Sequence, residues 1–153
     1  MSRNLNLDEI SSAKGSYILQ IHVMDRIVLD IKSLKNPEIA QGRYLYCGSA
    51  NGPGGMGARV KRHAKRDKKA HWHVDRLTIP FGVEALSVFE GASECDLVAH
   101  LCKLDFCDQP YVKFGSSDCE TCTAHLVRIK EGFNMEDCGL SAPVFHPRRG
   151  KVF

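Results

Sequence analysis

The chain has 153 residues, 43% hydrophobic and 25% charged, with a net charge of +3 at neutral pH. That is enough chain for one domain with its own core, and too apolar a composition for a disordered segment. Seven cysteines make an odd set for a secreted disulfide framework, no apolar run reaches the length of a membrane span, and residues 1–8 lack a signal-peptide stretch, so a cytoplasmic setting with reduced thiols is expected.

Residues 1–13 are polar and read as a loose arm. Tyr17, Leu19, Ile21 and Val23 alternate with Gln20 and His22, the pattern of a half-buried strand. A short turn, Met24-Asp25-Arg26, leads to a second apolar run over residues 27–31, so the two runs are expected to pair as a hairpin. Lys35-Asn36-Pro37 ends that run. Residues 43–48 form a third strand with Tyr44 and Tyr46 on one face. Asn51-Gly52-Pro53-Gly54-Gly55 can neither continue a strand nor start a helix. A first helix is expected over about residues 56–66, where Met56 and Val60 make a narrow apolar stripe and leave a broad basic surface.

Residues 73–77 read as a short helical turn stopped at Pro80, and residues 83–89 as another strand. Ser93 suits an N-cap, with Asp96 in the capping-box position. Leu97, Val98, Leu101 and Leu104 then line one side of a second helix. Residues 125–129 suit a last strand, and the tail over 131–153 has no period. No repeat or low-complexity tract interrupts the chain. The element order implies an α+β fold, a small mostly antiparallel sheet flanked by helices.

Charge is concentrated rather than large. Arg59, Lys61, Arg62, Lys65, Arg66, Lys68 and Lys69 stand against a single acid, Asp67, within residues 59–69. Such a cluster is the usual footprint of a polyanion site, although a solvated helix face has the same composition. Arg59 and His63 are four residues apart and share a helix face. A guanidinium and an imidazole beside tyrosine hydroxyls suit the gripping of a phosphodiester and the movement of protons around it.

The order of these residues resembles the GIY-YIG nuclease superfamily. Its two motif elements correspond to Gly15-Ser16-Tyr17 and Tyr46-Cys47-Gly48, and its helix arginine and following histidine to Arg59 and His63. The run from Gly42 through His71-Trp72-His73-Val74-Asp75 to Phe114-Gly115-Ser116-Ser117-Asp118-Cys119 is similar to the DUF123 branch. The resemblance covers roughly residues 14–130, treated as the domain between the arm and the tail. It implies Tyr17 and Tyr46 near the scissile phosphate, Arg59 on its oxygens, and His63 as proton carrier or orienting donor. It also implies a metal-binding glutamate on a later helix. Glu94 fits, at the end of the stripe formed with Leu97, Val98 and Leu101, although a first-turn acid also favours a helix dipole. Mg²⁺ or Mn²⁺, one divalent cation, is the implied cofactor. The implied partner is nucleic acid, DNA more than RNA, held by Lys61, Arg62, Lys65, Arg66, Lys68 and Lys69. The branch also occurs joined to a base-excision repair glycosylase, which implies an association of that kind and no membrane role.

The sequence departs from the superfamily in two places. The link between the motif elements is lengthened by residues 27–31, and an asparagine common after the glutamate helix is absent, with Ser117 and Asp118 in that region. Alone, Tyr17 and Tyr46 are also good strand residues.

Two other clusters stand out. Cys119, Cys122 and His125 follow metal-ligand spacing, with Cys107, Cys138 or His146 as a fourth donor, but no second Cys-x-x-Cys pair exists and zinc is not expected. His71, His73 and Asp75 would share a face on a strand but not on a helix. The expected function is a divalent-metal-dependent endonuclease acting on phosphodiesters, with a place in DNA repair. The alternatives are a non-catalytic nucleic-acid-binding module of the same fold, or a zinc-stabilised interaction domain.

Overall fold

The apolar run that begins near Tyr17 becomes the centre of the molecule. A computed structural model describes residues 2–5, 7–116 and 122–147. Within them lie strands β1 (Ser2–Leu5), β2 (Gly15–Val23), β3 (Ile27–Val28), β4 (Glu38–Ile39) and β5 (Gly42–Ala50), helices α1 (Gly55–Ala64) and α2 (Asp75–Phe81), β6 (Ala85–Glu90), α3 (Glu94–Cys102), β7 (Cys107–Asp108), β8 (Leu126–Ile129) and β9 (Val144–Pro147). Seven of these strands form one sheet in the order β1-β9-β6-β2-β5-β8-β7. All its neighbours are antiparallel except β1 and β9. The class is α+β, a mostly antiparallel sheet flanked by helices, as the element order implies.

β2 is buried on both faces, not one. Tyr17, Leu19, Ile21 and Val23 join a core with Met56 and Val60 of α1 and Leu77 of α2. Ile18, Leu45 and Cys47 point the other way, into a core with Leu97, Val98 and Leu101 of α3. Alternation therefore marks the two faces of a covered strand rather than core against water.

The expected hairpin of residues 17–23 with 27–31 does not form. β2 is already paired along both edges, with β5 and with β6. The second run turns to local partners instead: Ile27 pairs with Ile39 and Val28 with Glu38, and Leu29 N–H donates to Pro37 O at 2.9 Å. Leu29 and Ile31 still bury themselves in the first core.

Described residues near both ends of the chain join the sheet. β1 pairs with β9, and β9 with β6. The segment before β2 holds the start of α1: Met56 N–H donates to Ala13 O at 2.9 Å and Gly57 N–H to Ser11 O at 2.8 Å. This approach is why Gly55 is glycine. Its φ is +59°, and a Cβ there would sit 1.9 Å from Ser12 O. In the stretch read as an irregular tail, Met135 and Cys138 close the second core from a 3₁₀ turn, and Met135 N–H donates to Gln20 Oε1 at 2.7 Å.

Helix boundaries differ from expectation for local reasons. α1 ends at Ala64, short of residue 66, because the next residue is extended. α2 runs past Pro80 to Phe81, and Gly82 closes it through a bond from its N–H to Thr78 O at 2.8 Å. The carbonyls near that end find a side-chain donor: Arg66 Nε donates to Ile79 O at 2.9 Å, and Arg66 also bonds Pro80 O. At α3, Ser93 caps as its side chain suggests, accepting from Cys95 N–H at 3.2 Å.

Candidate active site

A cleft of about 400 Å³ opens where β2 begins and β5 ends, and Tyr17, Tyr46, Arg59 and Glu94 all line it. Trp72, His73, Ser116 and His125 complete much of its wall. The four expected residues arrive from four different elements: β2, β5, α1 and α3. α3 packs on the opposite face of the sheet from α1, but Glu94 is its first residue and reaches round the strand ends.

Tyr17 and Tyr46 sit side by side because β2 and β5 are neighbours, with Tyr17 opposite Gly48. Gly48 makes room for the phenol, since a Cβ there would lie 2.3 Å from the Tyr17 hydroxyl. Burial raises the pKa of both tyrosines well above 10, and Arg59 only partly offsets this for Tyr17. The field of Arg59 therefore does not make Tyr17 a ready phenolate at neutral pH.

His63 lies behind Tyr17 rather than in the cleft wall. Its Nε2 is 2.6 Å from the Tyr17 hydroxyl, and its Nδ1 is 3.9 Å from Asp75 Oδ1. Burial, reinforced by the Lys68 ammonium, lowers its pKa to about 3, so the ring is neutral. With a neutral ring, Tyr17 can donate to Nε2 while Nδ1–H faces Asp75. The unfolded state protonates this histidine near pH 6.5 while the folded state resists to about pH 3, so its stabilisation is present above 6.5 and is lost as pH falls. The full swing is on the order of 5 kcal/mol. Burial depresses His73 in the same direction. The melting temperature is expected to fall between pH 6.5 and 4, and His63→Gln should flatten that fall. An equal slope in both proteins would contradict a neutral, buried His63.

The His71-Trp72-His73-Val74-Asp75 run is neither a strand nor a shared metal face. It is a turn locked by its own aspartate. Asp75 Oδ2 accepts from His71 N–H at 2.7 Å and Trp72 N–H at 2.9 Å, while Arg62 binds both carboxylate oxygens at 3.0 Å. Burial alone would raise the pKa of Asp75, but Arg62 and the two amides lower it to about 2. The locked turn presents Trp72 between two guanidiniums, with Arg59 4.5 Å and Arg62 4.3 Å from its ring centroid. Arg59 is further fixed by donating to Ser49 O at 2.9 Å. His73 Nδ1 accepts from Gly115 N–H at 2.9 Å, which ties this turn to the far wall of the cleft.

The basic run divides by role. Arg62 is committed to Asp75, and Arg66 to the end of α2. Lys68 donates to Arg62 O at 3.0 Å and His63 O at 2.8 Å, its side chain is 6% exposed, and burial lowers its pKa to about 8. Lys61 pairs with Asp8 but stays half exposed. Lys65 and Lys69 are exposed. The surface left for a polyanion is narrower than composition implies.

Sequence reasoning did not place His125 or Ser116 at the cleft. His125 Nδ1 lies 3.7 Å from Glu94 Oε2. A single carboxylate on an open, water-accessible wall fits a cation that keeps most of its waters, and Glu94 is 29% exposed there. Ser117, Asp118 and Cys119 fall outside the described residues.

A family model described as a domain of unknown function, DUF123, matches residues 16–143. The chain belongs to the DUF123 family. That match takes in every residue of the cleft named above and most of the stretch read as a tail. No curated protein and no solved structure matches the chain. Among the described residues, no helix of this DUF123 protein is long and apolar enough to cross a membrane.

Proposed function

We propose that this DUF123 protein is a divalent-metal-dependent endonuclease of the GIY-YIG type, acting on DNA more readily than on RNA. The convergence of Tyr17, Tyr46, Arg59 and Glu94 on one cleft carries the reading. Strand pairing and core packing account for the two phenols, but not for a guanidinium from α1 and a carboxylate from α3 at the same solvent-open point.

Arg59, held by Trp72 and Ser49 O, would bind the phosphate and oppose the charge that grows in the transition state. Glu94 would hold Mg²⁺ or Mn²⁺, which supplies Lewis-acid assistance when bound. Proton movement rests on Tyr17 and His63. An attacking water gives its proton to the Tyr17 oxygen as the Tyr17 proton passes over 2.6 Å to His63 Nε2. The new hydroxide bonds phosphorus, the P–O bond to the leaving group breaks, and that oxygen takes a proton from solvent. A histidine with a pKa of about 3 is a weak acceptor in the empty cleft. A phosphodiester anion beside it raises that value, and Asp75 stands behind to face the imidazolium.

Binding is expected to be independent of sequence and to weaken steeply with salt. Lys61→Ala, Lys65→Ala and Lys69→Ala together should flatten the salt slope, each lost phosphate contact lowering it by about one. Lys68 is the wrong member for this test because its ammonium is bonded inside the protein. An unchanged slope would remove this face as the contact surface.

The function is tested by incubating the wild-type protein with branched, flapped and hairpin DNA and RNA, with Mg²⁺, with Mn²⁺ and with chelator. Nicks that require the metal are the expected result. Tight binding with no nick under any condition would instead favour a non-catalytic module, consistent with phenols buried beyond easy ionisation.

A further inference from the structure

Beside the cleft, the fold brings to Cys122 and His125 a third donor, Cys95, that the spacing of the chain does not connect to them. The Sγ atoms of Cys95 and Cys122 and a ring nitrogen of His125 all lie within 4.8 Å of one another. Cys95 is in the first turn of α3, and the other two precede β8. Cys122 Sγ is 3.0 Å from Cys95 Sγ, across 27 residues of sequence. The remaining observation concerns His125 itself. Its ring is nearly fully buried, Nδ1 faces Glu94 at 3.7 Å, and Nε2 is buried without a hydrogen-bond partner among the described residues. A buried ring nitrogen in that condition is costly unless something binds it.

We infer that Cys95, Cys122 and the imidazole of His125 form a zinc site, distinct from the Glu94 carboxylate proposed for the catalytic cation. Two sulfurs and one imidazole are borderline-soft donors, which select zinc over magnesium or manganese. Binding replaces the two thiol protons with one Zn²⁺, so the dithiolate site is electrically neutral. Around a tetrahedral zinc the two sulfurs stand about 3.8 Å apart, so they open by under about 1 Å from the present separation. Among the described residues the site has three protein donors. Glu94 then has a second relation to the site, because a carboxylate beside the remaining ring nitrogen orients a ligating histidine and fixes its tautomer. The zinc would in turn hold the first turn of α3 against β8 and so keep Glu94 at the cleft. The expectation of no zinc, drawn from the lack of a second Cys-x-x-Cys pair, missed the donor contributed by Cys95. Of the other fourth-ligand candidates, His146 and Cys138 lie elsewhere. His146 faces Glu84 O and Glu136, and Cys138 Sγ bonds Asn134 O.

Metal analysis of the protein purified without chelator tests this whatever the catalytic activity. About one zinc per chain is expected, still present after dialysis against excess Mg²⁺. The Cys95→Ser/Cys122→Ser double variant should fall below about a tenth of that, while Cys102→Ser, whose thiol bonds Gln109, should retain it. A second readout needs only the wild-type chain. Peptide mass spectrometry after brief iodoacetamide treatment should find Cys95 and Cys122 protected in the zinc-loaded protein. After chelation their labelling should rise by about tenfold or more. Zinc content near zero even after incubation with zinc, content unchanged in the double variant, or recovery of a Cys95–Cys122 disulfide peptide from reduced protein would each overturn the assignment.

Discussion

Asp75→Ala is expected to lower the melting temperature by roughly 6–12 °C and to impair the cleft as well. The side chain is fully buried and satisfies four donors: two guanidinium nitrogens of Arg62 and the amides of His71 and Trp72. Removing one partner of such a pair costs about 3 kcal/mol or more, because the groups left behind remain partly out of water. Arg62 is 30% exposed and can recover some hydration, which keeps the estimate at the low end. The amides have no such route while the turn stays closed. Once that turn loosens, Trp72 no longer fixes Arg59, so phosphate binding should weaken alongside stability. Thermal unfolding and binding on the same preparation check both parts. A shift below about 2 °C would show that the turn is held by packing alone.

The sheet was legible where the chain carries period and punctuation. Alternation from Tyr17 to Val23, the aromatic strand ending at Gly48, and the Ser93 cap all led to elements that exist. The α+β class followed from their order. The partner of the second apolar run was not legible, since nothing in residues 27–31 says that β2 has both edges taken. The tail failed for another reason. β9 offers two buried residues, Val144 and Phe145, and so short a segment has no period to detect.

For the cleft, resemblance carried Tyr17, Tyr46, Arg59 and Glu94, and the geometry brings those four together. Composition misjudged the basic run, because charge counts do not distinguish Lys65 at the surface from Lys68 bonded to carbonyls. Asp75 looked like a possible ligand, yet its oxygens are filled by Arg62 and two amides. Burial outweighs the Arg59 charge at the Tyr17 hydroxyl. Such outcomes depend on which groups lose water, and only the folded chain decides that.

Whether Glu94 serves catalysis rather than the dipole of α3 is tested by measuring Glu94→Gln for cleavage and binding together. The substitution keeps the size of the side chain and removes the charge a divalent cation needs. Loss of several kcal/mol of metal assistance should slow single-turnover cleavage by roughly 10²–10³-fold. Binding without added metal should change less than about threefold, because the proposed contact surface is the exposed lysines and Arg59. Arg59→Ala, run beside it, should lower both quantities, as that guanidinium is proposed to meet the phosphate before and during reaction. A Glu94→Gln protein that cleaves as fast as wild type, with the same dependence on Mg²⁺ or Mn²⁺, would contradict the assignment outright.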